Sequence, residues 1–212
     1  MMTGILHFET FLAAGILLNI TPGNDTIFII SRSLAQGRKA GVLSVLGIAT
    51  GSLIHTTMAG LGLSLVIAKS LIVFNLVKYA GAVYLAYIGY KMIRDRTKFH
   101  AAPGPGTHKI KTWKVYRDAV ITNVLNPKVA LFFIAFLPQF IDSSYRDSTL
   151  PFMILGTCFT ITGTIWCLVL AGFASFISKA LSGNHKIAAY VNKACGAVMI
   201  LLGIKVALTG RK

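Results

Sequence analysis

Acidic residues are scarce in this chain. Only 6 of its 212 residues are Asp or Glu, against 21 Lys and Arg, and charge of either sign accounts for 13% of the whole. Paired catalytic carboxylates therefore have little to be built from. No His-Glu-x-x-His, no Gly-x-Ser-x-Gly and no paired acids occur in the apolar segments, so the common metalloprotease and hydrolase chemistries are not encoded. Cysteine is equally sparse. Cys158, Cys167 and Cys195 are odd in number, lack metal-ligand spacing and fall in apolar segments, where they read as small core residues and not as a disulfide framework. No Lys or Arg precedes the first apolar segment and no small-residue cleavage pattern follows it, so it is expected to remain as a helix and not to be a signal peptide. No catalytic residue, metal ligand set or cofactor is expected.

What the chain does have is apolar length. Hydrophobic residues make up 55% and the mean hydropathy is +0.70, more than a water-soluble domain of this size can hide. An all-α integral membrane protein is the fold class. At about 20 apolar residues per crossing, six spans are expected: Phe8 to Ile30, Gly41 to Ala68, Leu71 to Ile93, Ala119 to Ile141, Leu150 to Ile177 and Ile187 to Leu208. The net charge of +15 raises nucleic acid as a partner, but its distribution argues for a lipid bilayer instead. Arg32, Arg38 and Lys39 follow the first span, eight basic residues from Lys91 to Arg117 surround the third loop, and Lys179, Lys186 and Lys193 flank the fifth. Those loops alternate along the chain, so they share one face. The positive-inside rule makes that face cytoplasmic and puts both termini outside.

The stretch from residue 94 to 117, with Ala101-Ala102-Pro103-Gly104-Pro105-Gly106, is the one linker-like segment. It divides the chain into residues 1–93 and 118–212, each with three spans. The halves echo each other. Lys78-Tyr79-Ala80-Gly81-Ala82-Val83 matches Lys193-Ala194-Cys195-Gly196-Ala197-Val198, and each runs on to a Gly-x-Lys. Three helices per copy force the second copy to insert upside down, giving two inverted three-helix repeats. In the second span Gly47, Gly51, His55 and Gly62 fall near one stripe, and the glycines are expected to allow close helix packing.

The first and fourth spans are broken. Asn19-Ile20-Thr21-Pro22-Gly23-Asn24-Asp25 and Asn123-Val124-Leu125-Asn126-Pro127-Lys128 each place a residue of N-cap type directly before Pro. Each motif is thus expected to start a second half-helix, whose free N–H groups and partial positive charge suit the carboxylate of a small substrate. Gly23 leaves room for close approach. Asp25, in a first turn, is suited to bind an ammonium, to shuttle a proton, to cap the turn or to pair with Lys128. Lys128 either attracts a carboxylate, neutralises Asp25 or reaches to the interface. His55 offers proton coupling or a hydrogen-bonded packing role. Asn19 and Asn123 either line the cavity or satisfy carbonyls freed by the breaks.

Taken in order, Thr21-Pro22-Gly23-Asn24-Asp25, Gly37-x-x-x-Gly41, Gly47-x-x-x-Gly51-x-x-x-His55, Gly81-Ala82-x-Tyr84-Leu85-x-Tyr87-x-Gly89, and Asn126-Pro127-Lys128 leading to Phe132-Phe133 and Leu137-Pro138-Gln139-Phe140 resemble the lysine exporter superfamily. The likeness is greatest to its homoserine/threonine efflux branch and covers nearly the whole chain. One position departs: that family commonly reads Pro-Gly-Pro, and here Asn24 replaces the second Pro, which alters the local geometry of the break. The resemblance implies an exporter of small amino acids or derivatives in a bacterial cytoplasmic (inner) membrane, driven by proton antiport, with Asp25 and Asn126-Pro127-Lys128 near the pathway. Relatives in the superfamily also move metals, which makes metal-cation export the alternative. A cation site needs several carboxylates, His or Cys facing one cavity, and only Asp25 and His55 are acidic or imidazole groups deep in the spans. The sequence does not choose among threonine, homoserine, homoserine lactone, leucine and lysine, though the same scarcity favours a neutral or zwitterionic substrate over a dication. A homo-oligomer is left open.

The alternation of basic loops has a direct test. A cysteine placed in the stretch from Arg94 to Arg117 should react with an impermeant thiol reagent only from the cytoplasmic side, and one at Ser143 only from outside. Reaction of both from one face is incompatible with six spans.

Overall fold

The computed structural model describes residues 4–63, 71–94, 112–145 and 147–174, together with isolated positions between 176 and 208. The described residues are helical throughout their main elements: α1 (Phe8–Ile20), α2 (Asn24–Gln36), α3 (Arg38–Met58, continued by a π-helical turn Ala59–Leu63), α4 (Leu71–Arg94), α5 (Thr112–Val124), α6 (Pro127–Leu131, continued by a π-helical turn Phe132–Phe136 and a 3-10 turn Leu137–Phe140) and α7 (Thr149–Gly172).

Arg38–Gly62 and Thr149–Gly172 are each long and apolar enough to cross a membrane, with mean hydropathy 1.5 and 1.9. Two further helix pairs are long and apolar enough only when taken together, and each is broken where expected. α1 and α2 meet at a 47° bend, and α5 and the helix from Pro127 to Phe140 at a 45° bend. α4 occupies the expected third span, and its 24 residues rise about 36 Å. The expected sixth span lies mostly outside the described residues, as does the linker after Arg94; the described positions from Tyr190 to Leu208 are helical.

Hydroxyl side chains on these spans turn back onto their own helix. Ser44, Thr50, Thr56 and Thr57 on α3 donate to the carbonyl four residues earlier at 2.8–3.0 Å, and Thr160 and Thr162 do the same on α7. A hydroxyl in lipid thereby carries no unmet donor. Between α2 and α3 the chain turns on Gly37 alone, at φ +83, in the left-handed region where a Cβ is strained.

α3 sits at the centre, packed on α2, α5 and α7. Its glycine stripe sets the spacing. A Cβ on Gly47 would lie 2.5 Å from the Tyr116 carbonyl and 2.6 Å from Ala119 Cβ, and one on Gly51 would lie 2.7 Å from Asn123 Oδ1. Gly62 meets nothing within 4 Å among the described residues, so among them the expected stripe holds for Gly47 and Gly51 and stops before Gly62. Elsewhere the two matched half-sequences touch: Gly89 on α4 abuts the backbone of Gly196.

Two apolar clusters result. Phe11, Leu18, Phe132, Phe133, Phe136, Phe140, Phe152 and Phe159 form one, from α1, α6 and α7. Ile29, Ile30, Val45, Ile48, Ala119, Cys167 and Leu170 form the other, from α2, α3, α5 and α7. The outer faces remain apolar: Leu46, Leu53, Met58, Ile161 and Ile165 are exposed, the pattern of helices bathed in lipid and not water.

Adding a methyl group at Gly47 should force α3 from α5. Gly47→Ala is expected to lower stability by about 1–3 kcal/mol, and Gly62→Ala to change it by no more than about 0.5 kcal/mol. Thermal unfolding of the detergent-solubilised protein measures both.

Candidate functional site

Each break begins with a proline that cannot donate. In an α-helix the N–H of residue 22 would meet the carbonyl of Leu18, and that of residue 127 would meet Asn123; Pro22 and Pro127 remove both. Side chains from other spans fill the gaps. Lys128 Nζ donates to Leu18 O at 3.1 Å and to Thr21 O at 2.9 Å. The Asn123 carbonyl takes the Asn126 N–H at 2.9 Å and His55 Nε2 at 3.3 Å. A carbonyl only accepts, so His55 Nε2 carries the proton. The other side of the ring region is packed against Phe133, with centroids 5.6 Å apart.

The two breaks are not built alike. Asn126 caps α6 as the sequence suggested: its Oδ1 accepts from the Lys128 N–H at 3.1 Å, with Pro127 at the first helical position. Thr21 behaves otherwise. Its Oγ1 donates to Leu17 O at 2.7 Å, so it closes α1, and Gly23, which has no side chain to cap with, precedes α2. The reason is that a threonine hydroxyl reaches the carbonyl four residues back as readily as it reaches forward.

Asp25 lies in the first turn of α2 and accepts from Asn123 Nδ2 at 2.9 Å through Oδ2. Its Oδ1 is buried with no hydrogen-bond partner among the described residues, as is Asn123 Oδ1. Asn19 Nδ2 donates to Thr162 Oγ1 at 3.2 Å and Phe159 O at 3.4 Å, tying α1 to α7. Lys128 Nζ also approaches Gly23, where a Cβ would stand 3.3 Å from it. The room expected at Gly23 is therefore taken by the ammonium.

These groups surround a cavity of about 40 Å³ between the two apolar clusters, room for a few waters. Asn19, Asp25, Asn123 and Lys128 line it; Thr21, Pro22, Gly23, Asn126, Pro127 and His55 shape the breaks behind it, and Asn24 is exposed. The first turns of both half-helices contribute, through Asp25 with Thr26 and Lys128 with Val129. The far wall went unnoticed in the sequence. Thr160, Gly163, Thr164 and Cys167 of α7 face the cavity, joined by Ser52 of α3, whose hydroxyl meets Thr160 Oγ1 at 2.9 Å. Their spacing of three and four residues was a readable signal of one small, polar helix face.

A cavity at the breaks of two apolar spans, with one carboxylate and one ammonium on its wall, is the arrangement of a membrane translocator. The chain belongs to the LysE type translocator family, whose pattern matches residues 16–210. It is 32% identical over 200 residues to an uncharacterized membrane protein, YrhP, of Bacillus subtilis, covering 91% of this chain and 94% of that one. A leucine efflux protein of Salmonella typhimurium is 28% identical over 197 residues, with 93% and 92% covered. An uncharacterized membrane protein of Vibrio cholerae is 31% identical over 169 residues, with 80% of each covered. No solved structure matches significantly.

Replacing Lys128 by Met should strand two carbonyls at the end of α1. Since a hydrogen bond to a charged group contributes about 1.5–3 kcal/mol, the detergent-solubilised variant should unfold several degrees below the parent, and Lys128→Arg should recover part of the loss. An unchanged melting temperature in Lys128→Met would show that the ammonium does not hold the break.

Proposed function

We propose that this translocator exports small neutral amino acids or their derivatives, of the threonine, homoserine, homoserine lactone or leucine type, from the cytoplasm by proton antiport. The observation that carries the reading is Asp25, a carboxylate in the cavity between the two breaks with one oxygen left without a hydrogen-bond partner among the described residues. Charge at that depth is expensive and its usual reason is transport. The name of the leucine efflux relatives supports amino-acid export. In this reading the substrate ammonium and a proton compete for Asp25, so loading one releases the other, and competition at one site is sufficient for antiport. The substrate carboxylate meets the first-turn amides of α2, which no side chain caps, beside the Lys128 ammonium. One negative and one positive group match a zwitterion and disfavour a dication. Among the described residues no three of His, Cys, Asp or Glu converge as a metal cage would require, so the metal-export alternative gains no support.

The orientation follows the basic loops: α2 and α5 run between the cavity and the cytoplasmic face, α1 and α6 between the cavity and the outside, with both termini outside a bacterial inner membrane. Matching bends of 47° and 45° at the two prolines support a pair of inverted repeats.

Proteoliposomes loaded with a panel of labelled amino acids and given a proton gradient test the function. Export is expected for small neutral substrates and not for lysine. Asp25→Asn should assemble normally yet lose uphill export. Wild-type, proton-driven export by Asp25→Asn would exclude this coupling.

A further inference from the structure

α2 and α5 meet through two polar contacts along one seam. The inner one is the Asp25–Asn123 bond. The outer one is an ion pair, in which Arg32 Nη2 donates to Asp118 Oδ2 at 3.1 Å. Arg32 lies seven residues beyond Asp25, about 10 Å along α2, and Asp118 five residues before Asn123, about 7.5 Å along α5. The pair therefore sits on the side of the cavity that faces the basic loops. Its charges are held from several directions: Arg117 Nη2 reaches the other Asp118 oxygen at 3.3 Å, and the Arg32 guanidinium stands 5.1 Å from the centre of the Phe28 ring. Ile29, Ile48 and Cys167 belong to the cluster packed along this end.

The opposite end of the same two broken spans is joined by different chemistry. The Leu6 N–H donates to Phe140 O and the Asp142 N–H to Gly4 O, both at 2.8 Å, as Ile5 and Ile141 form an antiparallel bridge. Beneath it Phe11 packs edge-on against Phe140, with centroids 5.4 Å apart. The cavity thus lies between a charged closure and an apolar one.

We propose that the Arg32–Asp118 pair is the cytoplasmic gate of this translocator, closing the α2–α5 seam over the cavity and parting to admit substrate. The proposal rests on the orientation given above. Ionic groups suit a gate because water replaces each partner when the seam opens, and these side chains, 26% and 23% exposed, already border solvent. Ion pairs that reach solvent are weak enough to part thermally. Gln36 Oε1, one turn beyond Arg32 on the same face of α2, is buried without a hydrogen-bond partner among the described residues, and would add a polar atom to the opened seam. No motif singled out either member of the pair.

Cys167, on the cavity wall, supplies the reporter. With Cys158 and Cys195 replaced by Ala, its rate of reaction with an impermeant thiosulfonate is measured in inverted and right-side-out vesicles. Asp118→Asn and Arg32→Gln should each speed labelling from the cytoplasmic face by up to about fivefold, the equivalent of losing a partly exposed ion pair. Labelling from the outer face should not rise. The exchanged pair, Arg32→Asp with Asp118→Arg, should return the rate towards the parent value. Unchanged cytoplasmic labelling in both single variants overturns the gate, and so does acceleration from the outer face alone. Should the single variants fail to assemble, Arg32→Cys with Asp118→Cys decides: oxidation to a disulfide should protect the Cys167 peptide from cytoplasmic reagent and reduction should restore its labelling, whereas labelling indifferent to oxidation overturns the proposal. No substrate is needed for this readout, so it stands or falls apart from the amino-acid assignment.

Discussion

Everything at the centre of this protein follows from two missing N–H groups. Pro22 and Pro127 leave the carbonyls of Leu18 and Asn123 without their helical partners, in surroundings where water is not at hand to replace them. An unmet buried polar group costs about 1–3 kcal/mol, so each break survives only if something else donates. Lys128 does so for Leu18, and His55 joins Asn126 for Asn123. Both side-chain donors come from a different span. The breaks therefore depend on neighbouring spans: the first broken span is completed by the fourth, and the fourth by the second. This explains why two bends and one cavity occur together at a single place in the bundle.

The same capping settles the electrostatics of Lys128. Read from sequence alone, a lysine at the second position of a half-helix opposes the helix dipole. Its side chain instead reaches across to the C-terminal carbonyls of α1, where the dipole carries about −0.5 of a charge and a cation is favoured. Asp25 has the complementary arrangement in the first turn of α2. Two formal charges are thus stabilised at mid-bundle by the two helix ends that the Pro22 break creates. One carboxylate oxygen has no hydrogen-bond partner among the described residues, while the ammonium donates to the end of α1.

Which of these features could be read in advance depended on how local their chemistry is. The Asn126-Pro127 start was legible because an N-cap and its proline act within three residues. The Gly47 and Gly51 stripe was legible because helical periodicity places both on one face, and the tight approach to α5 follows. Thr21 was misread: the local rule permits its hydroxyl to bond backward or forward, and only the geometry at Pro22 decides. His55 was narrowed to two roles, and its bond to the Asn123 carbonyl together with the Phe133 stack gives substance to the packing one. The Arg32–Asp118 pair joins residues 86 positions apart. Nothing in a single sequence links an arginine after one span to an aspartate before another, since their meeting depends on how α2 and α5 pack.

The bundle's contacts also differ in how readily they can part. α3 meets α5 through Gly47 and Gly51, and α7 through Gly156 against Thr56, with backbones too close to accept even a methyl group without a shift. Separating such surfaces opens a void and forfeits dispersion contacts along the whole crossing. Among the described residues the polar contacts of the α2–α5 seam are instead one side-chain hydrogen bond and one partly exposed ion pair, beside the packing of Ile29 and Ile30 in the cluster with Ala119. Interhelical hydrogen bonds in membranes average only about 0.6 kcal/mol, because each group finds another partner when they break. Under the proposed function, a substrate ammonium at Asp25 and water at Arg32 would be such partners. Glycine packing thus favours keeping α3, α5 and α7 together, and the α2–α5 seam, which runs over the Asp25 cavity, is where a proposed ligand and solvent could substitute for the polar contacts that are lost.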